Sequence, residues 1–167
     1  MTVAMQTTLH ALAAFPAQLE AHYAAIPLDY RHWAPASWIG VPSEQFTAIE
    51  QVCHVRDIEI EGYHERFRRT LNEDNPLLPS IESEPLAIER NYAACDTVAV
   101  FASFRAAREK TSALVSSLDE KQFARRAEFE GYGPLTMRSL VHYHCSHDQQ
   151  HLSGLQWLLG KIDAARA

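Results

Sequence analysis

The sequence predicts an all-α bundle of four long helices, and three observations predict it. Four segments repeat apolar residues every three to four positions, the period that gives a helix one buried stripe. No segment alternates apolar and polar residues convincingly enough to read as a strand. Helix-starting and helix-stopping residues stand at the ends of the periodic segments.

The first segment covers about residues 8–26, with Leu9, Leu12, Phe15, Leu19 and Tyr23 on its stripe. Pro16 lies inside it, and a kink is expected there. The second starts after Pro42-Ser43, with Ser43 as the expected cap, and continues to about Glu73, ahead of Asn75-Pro76. Its stripe is Ile49, Cys53, Ile60, Tyr63 and Phe67. The third runs from the expected cap Asp96 to about Leu118, with Val100, Phe104, Ala107 and Leu114 inside. The fourth starts at the expected cap Thr136 and is expected to stop near Gly160.

The connections are unequal. Residues 27–42 carry Trp33 and Trp38, residues 76–92 have room for a short helix, and residues 129–134 read as a turn-rich link. Trp33, Trp38 and Tyr132 either wall a pocket or plug the ends of the bundle. Long links permit crossovers, so an up-down-up-down order does not follow. With 167 residues, a single domain spanning 1–167 is expected.

Such a chain buries roughly two thirds of its unfolded surface without help, so a metal here would serve function rather than folding. The net charge is −6 and the pI near 5.8, a poor match for a polyanion, so no nucleic-acid partner is expected. The densest basic stretches, 66–69 and 105–110, read as solvated helix faces. Cys53, Cys95 and Cys145 are scattered and odd in number, which points to a reduced, cytoplasmic protein without a structural disulfide. The N-terminal residues lack the basic and apolar regions of a secretory leader, and no apolar run approaches the ~20 residues that span a bilayer.

The chemistry concentrates in the fourth segment. Leu140, His144, His147, His151, Gly154 and Leu158 fall on one stripe at 3.6 residues per turn, so three imidazoles point inward. His147 and His151 stand at the four-residue spacing that lets two side chains grip one ion, or simply pair with each other. In the second segment, His54 and Asp57 are one turn apart, on a face shared with Ile58 and Glu61. Asp57 either orients a ligand histidine or pairs with Arg56, whereas Glu61 is expected in solvent with a helical neighbour. Cys145 points away from the ligand stripe and Cys53 reads as core. His142 belongs to the outer, exposed face.

Two of these motifs carry a resemblance. His-Val-Arg-Asp at 54–57, with His-Asp-Gln-Gln-His at 147–151 and Gly154-Leu155-Gln156 after it, resembles the DinB/YfiT-like four-helix metalloproteins. The entry Tyr132-Gly133-Pro134-Leu135-Thr136 into the last helix is also similar to that family. The resemblance implies a four-helix bundle with long crossover connections, often a homodimer, with His54, His147 and His151 as the three metal ligands. It further implies transferase activity with low-molecular-weight thiols, or a mycothiol-dependent isomerase type of chemistry. His144, one turn before His147, departs from the plain pattern and stands, with Asp57, as an alternative ligand or an outer partner.

A three-histidine site leaves a divalent ion its full charge and an open position, so it activates a bound water or thiol. Zinc or nickel is expected, with iron also admitted by imidazole donors. The expected function is therefore a metal-dependent hydrolase or thiol S-transferase acting on a small molecule. The rival is a non-catalytic metal- or ligand-binding helical stress protein, whose coordination shell a fourth residue would complete.

Overall fold

The computed structural model describes residues 2–166. Helix α1 (Val3–Ala25) starts earlier than its apolar stripe suggests, because Thr2 Oγ1 accepts the Met5 N–H and Met5 is fully buried. It continues through Pro16, whose ring nitrogen cannot serve the Leu12 carbonyl. Arg108 Nη1 takes that carbonyl instead, at 2.9 Å.

Helix α2 (Ala48–Asp57) begins at Thr47 rather than at Ser43, since the Glu50 carboxylate reaches back to the Thr47 N–H at 2.8 Å. A wide π turn (Ile58–Tyr63) comes next, then α3 (His64–Asn72). The π turn adds a residue to the helical cycle, which shifts the phase locally, while Tyr63 and Phe67 of the expected stripe stay buried. Glu59, not Ile60, is therefore turned inside, at 1% exposure.

The link after α3 contains a two-residue strand, β1 (Leu77–Leu78), and a short helix, α4 (Ser83–Glu89). Helix α5 (Thr97–Ser117) starts at Asp96, which accepts the Val98 N–H. After the one-turn α6 (Glu120–Phe123), β2 (Arg126–Phe129) and β3 (Gly133–Thr136) form an antiparallel hairpin, with β1 parallel to β2. The turn expected at 129–134 is the hairpin's own, at residues 130–132, and the strands that flank it are the correction, since no strand is convincing in the sequence. Arg126–Phe129 alternates exposed and buried residues over only four positions, too few to stand out in the sequence, and Gly131 and Gly133 supply the positive φ of the turn. Helix α7 (Met137–Arg166) is capped by Thr136 Oγ1, which accepts the Ser139 N–H. It runs past Gly160 because Ile162 still buries in the core, which outweighs the roughly 1 kcal/mol that glycine costs a helix.

The four long helical units form the bundle. Helices α1 and α2 each pack against both α5 and α7, so α1 and its successor are not mainly neighbours, as a crossover topology requires. The core divides in two: one apolar cluster surrounds Phe15, Val52, Phe104 and Leu155, the other Leu12, Phe67, Phe123 and Leu140. Between them lies a polar layer that includes Glu59, Arg108, His144, Asp148, His54 and His151, all buried. No helix among the described residues is long and apolar enough to cross a membrane.

Candidate metal centre

Helices α2 and α7 bring His54, His147 and His151 together, with ligand atoms within 4.8 Å of one another. His147 Nε2 lies 3.2 Å from His54 Nε2 and 3.1 Å from His151 Nε2. Donors bound tetrahedrally to one ion at 2.0–2.1 Å stand about 3.3 Å apart, so the spacing suits a shared ion. Hydrogen bonding alone does not account for it. Gln51 Nε2 donates to Ser43 Oγ and to the Phe46 carbonyl, which turns Gln51 Oε1 toward His151 Nδ1 and makes that nitrogen the N–H. A neutral His151 then presents a lone pair at Nε2, and one His147 proton cannot serve both neighbours.

Gly154 makes this orientation available. A Cβ there would sit 2.5 Å from Ser43 Oγ and 2.9 Å from Gln51 Nε2, so only glycine lets the 43–51 pair approach α7 and hold His151 from behind.

A fourth group, absent from the sequence-level site, comes from the 27–47 link. Glu44 Oε2 lies 3.4 Å from His151 Nε2, and Oε1 lies 3.7 Å from His54 Nε2. Burial pushes the Glu44 carboxyl up, and Oε2 has no hydrogen-bond donor among the described residues. Its position four residues before the α2 start carries no periodic signal, which is why the sequence conceals it. Glu44, His54 and His147 share the wall of a cavity of about 140 Å³ with Tyr63, Arg66 and Tyr132.

His144 and Asp57 serve elsewhere. His144 Nε2 is 2.7 Å from Glu59 Oε2 and its ring stacks on Tyr63, with centroids 3.9 Å apart. Asp57 accepts from Arg56, Arg90 and the Tyr92 hydroxyl, not from a histidine, and Arg90 also takes Glu61 in place of a helical neighbour. His142 is half-buried rather than exposed, since its Nδ1 pairs with Thr8 Oγ1 of α1 at 2.8 Å. The two basic stretches are also not simply solvated: Arg66 and Arg108 are buried. Cys53, Cys95 and Cys145 are free.

Arg108 organises the polar layer beside the triad. It donates to Glu59 Oε2 at 2.8 and 3.1 Å and to both Asp148 oxygens at 2.6 and 2.9 Å. Burial works against its charge, but Asp148 and Glu59 beside it push its pKa up. Glu59 is raised by burial yet held well below the usual carboxylate range by His144 and Arg108, and Thr111 Oγ1 also donates to it. Asp148 comes directly after His147, so the network fixes the rotation of α7 at that histidine.

Burial lowers His54 to about 4. Burial and then the neighbouring imidazoles hold His147 and His151 well below their ordinary range. The unfolded chain titrates its histidines near 6.5, so it binds more protons than the metal-free fold below that pH. Metal-free protein should keep this stability above about pH 6.5 and lose it progressively as the pH falls toward 4. Denaturant melts at several pH values, compared with those of His54→Ala, test this. An equal slope in both proteins would contradict it.

A family model for the DinB superfamily matches residues 5–154. Among solved structures, the chain is similar to YfiT from Bacillus subtilis, described as a probable metal-dependent hydrolase with an unusual four-helix bundle topology. The TM-score is 0.83 at 18% identity, covering 98% of this chain and 90% of that one. No curated protein matches.

Proposed function

The chain belongs to the DinB superfamily, and from that premise we propose that it is a metal-dependent enzyme of hydrolase or thiol S-transferase type acting on a small molecule. His54, His147 and His151 would hold one divalent ion, with zinc or nickel preferred and iron compatible with the same donors. One observation carries the reading: three imidazoles converge, with His147 Nε2 3.1–3.2 Å from the Nε2 atoms of the other two, beside a carboxylate oxygen that has no hydrogen-bond donor among the described residues.

A divalent ion bound there supplies Lewis acidity that brings a water or thiol toward deprotonation near neutral pH. The chain's own residues handle the proton and the positions. Glu44 is placed to take the proton at Oε2, within reach of the point on which the histidines converge. Gln51 holds His151 in the tautomer whose Nε2 lone pair faces the centre, and Phe46 packs at 5.2 Å against the His54 ring. The description of YfiT as a hydrolase supports the water version, and the motif resemblance supports a low-molecular-weight thiol as cosubstrate.

Protein purified without a histidine tag and reconstituted in turn with zinc, nickel and ferrous iron should retain about one ion per chain. Near-zero retention of all three would overturn the site. Metal-loaded protein should then hydrolyse an ester panel, or consume a small thiol with an electrophile. Glu44→Gln should lower that turnover roughly 10²–10⁴-fold with the ion retained. A loaded protein that turns over neither set would leave a non-catalytic metal-binding role instead.

A further inference from the structure

We infer that Arg66 is the anion-recognition residue of the cavity beside the three histidines, and that the small molecule taken there carries a carboxylate. This rests on the reading of that cavity as the active site. Arg66 is 6% exposed, yet no carboxylate pairs with it among the described residues. Its nearest acidic neighbours in sequence are engaged, Glu61 by Arg90 and Glu65 by Arg68. Its Nη2 donates to the Pro79 carbonyl at 3.3 Å, and its Nε finds no acceptor.

The contrast with Arg108 is informative. Arg108, equally buried, has two carboxylates and a carbonyl. An ion taken out of water without a counterion costs several kcal/mol, so a buried cation left unpaired needs a reason. The fold also makes room for it: a Cβ on Gly62 would stand 2.9 Å from Arg66 Nη1. Arg66 lies over the rings of Tyr63, at 5.1 Å, and Phe129, at 4.4 Å, which hold the guanidinium in place by cation–π contact. Arg66 and His147 line the same cavity of about 140 Å³.

The anion class can be read from the surroundings. Nη1 of Arg66 makes no hydrogen bond among the described residues, and the planar fork of guanidinium N–H donors matches the two oxygens of a carboxylate. Glu44, on the same cavity wall, disfavours a second negative charge, and no Lys or Arg besides Arg66 lines the cavity to hold a phosphate dianion. The ligand is thus a small acid that places its carboxylate on Arg66 and its reacting group toward the histidines.

Calorimetry on zinc-loaded protein at pH 7 tests this with 3-mercaptopropionate against the neutral 3-mercaptopropionamide. The wild type should prefer the acid roughly tenfold or more. In Arg66→Gln that ratio should collapse toward one, with zinc stoichiometry and amide affinity unchanged. Arg66→Lys should restore part of the preference, and Gly62→Ala, which keeps the charge but displaces Nη1, should weaken it. Equal binding of acid and amide by the wild type, or an undiminished ratio in Arg66→Gln, overturns the inference. Inorganic phosphate binding more tightly than propionate overturns the carboxylate assignment. Propionate and propionamide titrated into metal-free protein separate the two readings: a preference for propionate that Arg66→Gln abolishes supports the anion site even if no metal binds, and no preference there overturns it.

Discussion

His147→Ala is expected to empty the metal centre while leaving the bundle folded. His147 Nε2 is the nitrogen nearest both partners, at 3.2 Å from His54 and 3.1 Å from His151, so its loss leaves two imidazoles without the ligand between them. The affinity should drop by more than the roughly 10–100-fold that losing an outer partner costs. The fold survives because the two apolar clusters lie on either side of the polar layer and do not depend on an ion. Metal analysis after dialysis, with circular dichroism on the same samples, reads both quantities. His142→Ala is the control, since its partner is Thr8 of α1, and it should retain the ion. His144→Ala should also retain it, because His144 faces Glu59 and Arg108. If His144→Ala empties the site while His54→Ala leaves it filled, the ligands run along α7 and the assignment is wrong.

Arg108→Met should be the most destabilising single substitution, by about 3–5 kcal/mol, because it leaves Glu59 and Asp148 as two buried carboxylates with only His144 beside them. The Leu12 carbonyl that Pro16 cannot serve would also lose its donor. For a chain of this size, that cost corresponds to a melting temperature lower by roughly 6–20 °C. The pH dependence separates this cause from simple loss of packing. Stranded carboxylates have raised pKa values, so the variant regains stability relative to wild type as acid protonates them. A gap between the two proteins that stays constant from pH 7.5 to 5 would show that charge pairing is not the source.

The histidine stripe of α7 was legible because a helix repeats its faces: Leu140, His144, His151, Gly154 and Leu158 are buried, and His147 is half-buried on the same face. His147 and His151 at four-residue spacing, and His54 near the middle of the second segment, were likewise readable as a candidate site. The same periodicity failed at residues 59–60, within the π turn, where Glu59 takes the buried place expected of Ile60. That shift is set by what Glu59 meets on α5 and α7, and a local pattern carries no record of it.

What the sequence determined by itself is the class of fold, the four helical units and the residue types able to hold a metal, since each comes from period, capping and donor chemistry along a single segment. Only the tertiary structure decided which of those groups meet. It gave His144 to Glu59 and Arg108, Asp57 to Arg90 and Tyr92, and Glu44 to the histidines, and it left Arg66 buried without a carboxylate. The physical reason is that burial and pairing are properties of two or more segments in contact. A charged residue in a helical pattern reads as solvated until another helix covers it, and its partner then comes from about 40 residues away, as Asp148 does for Arg108.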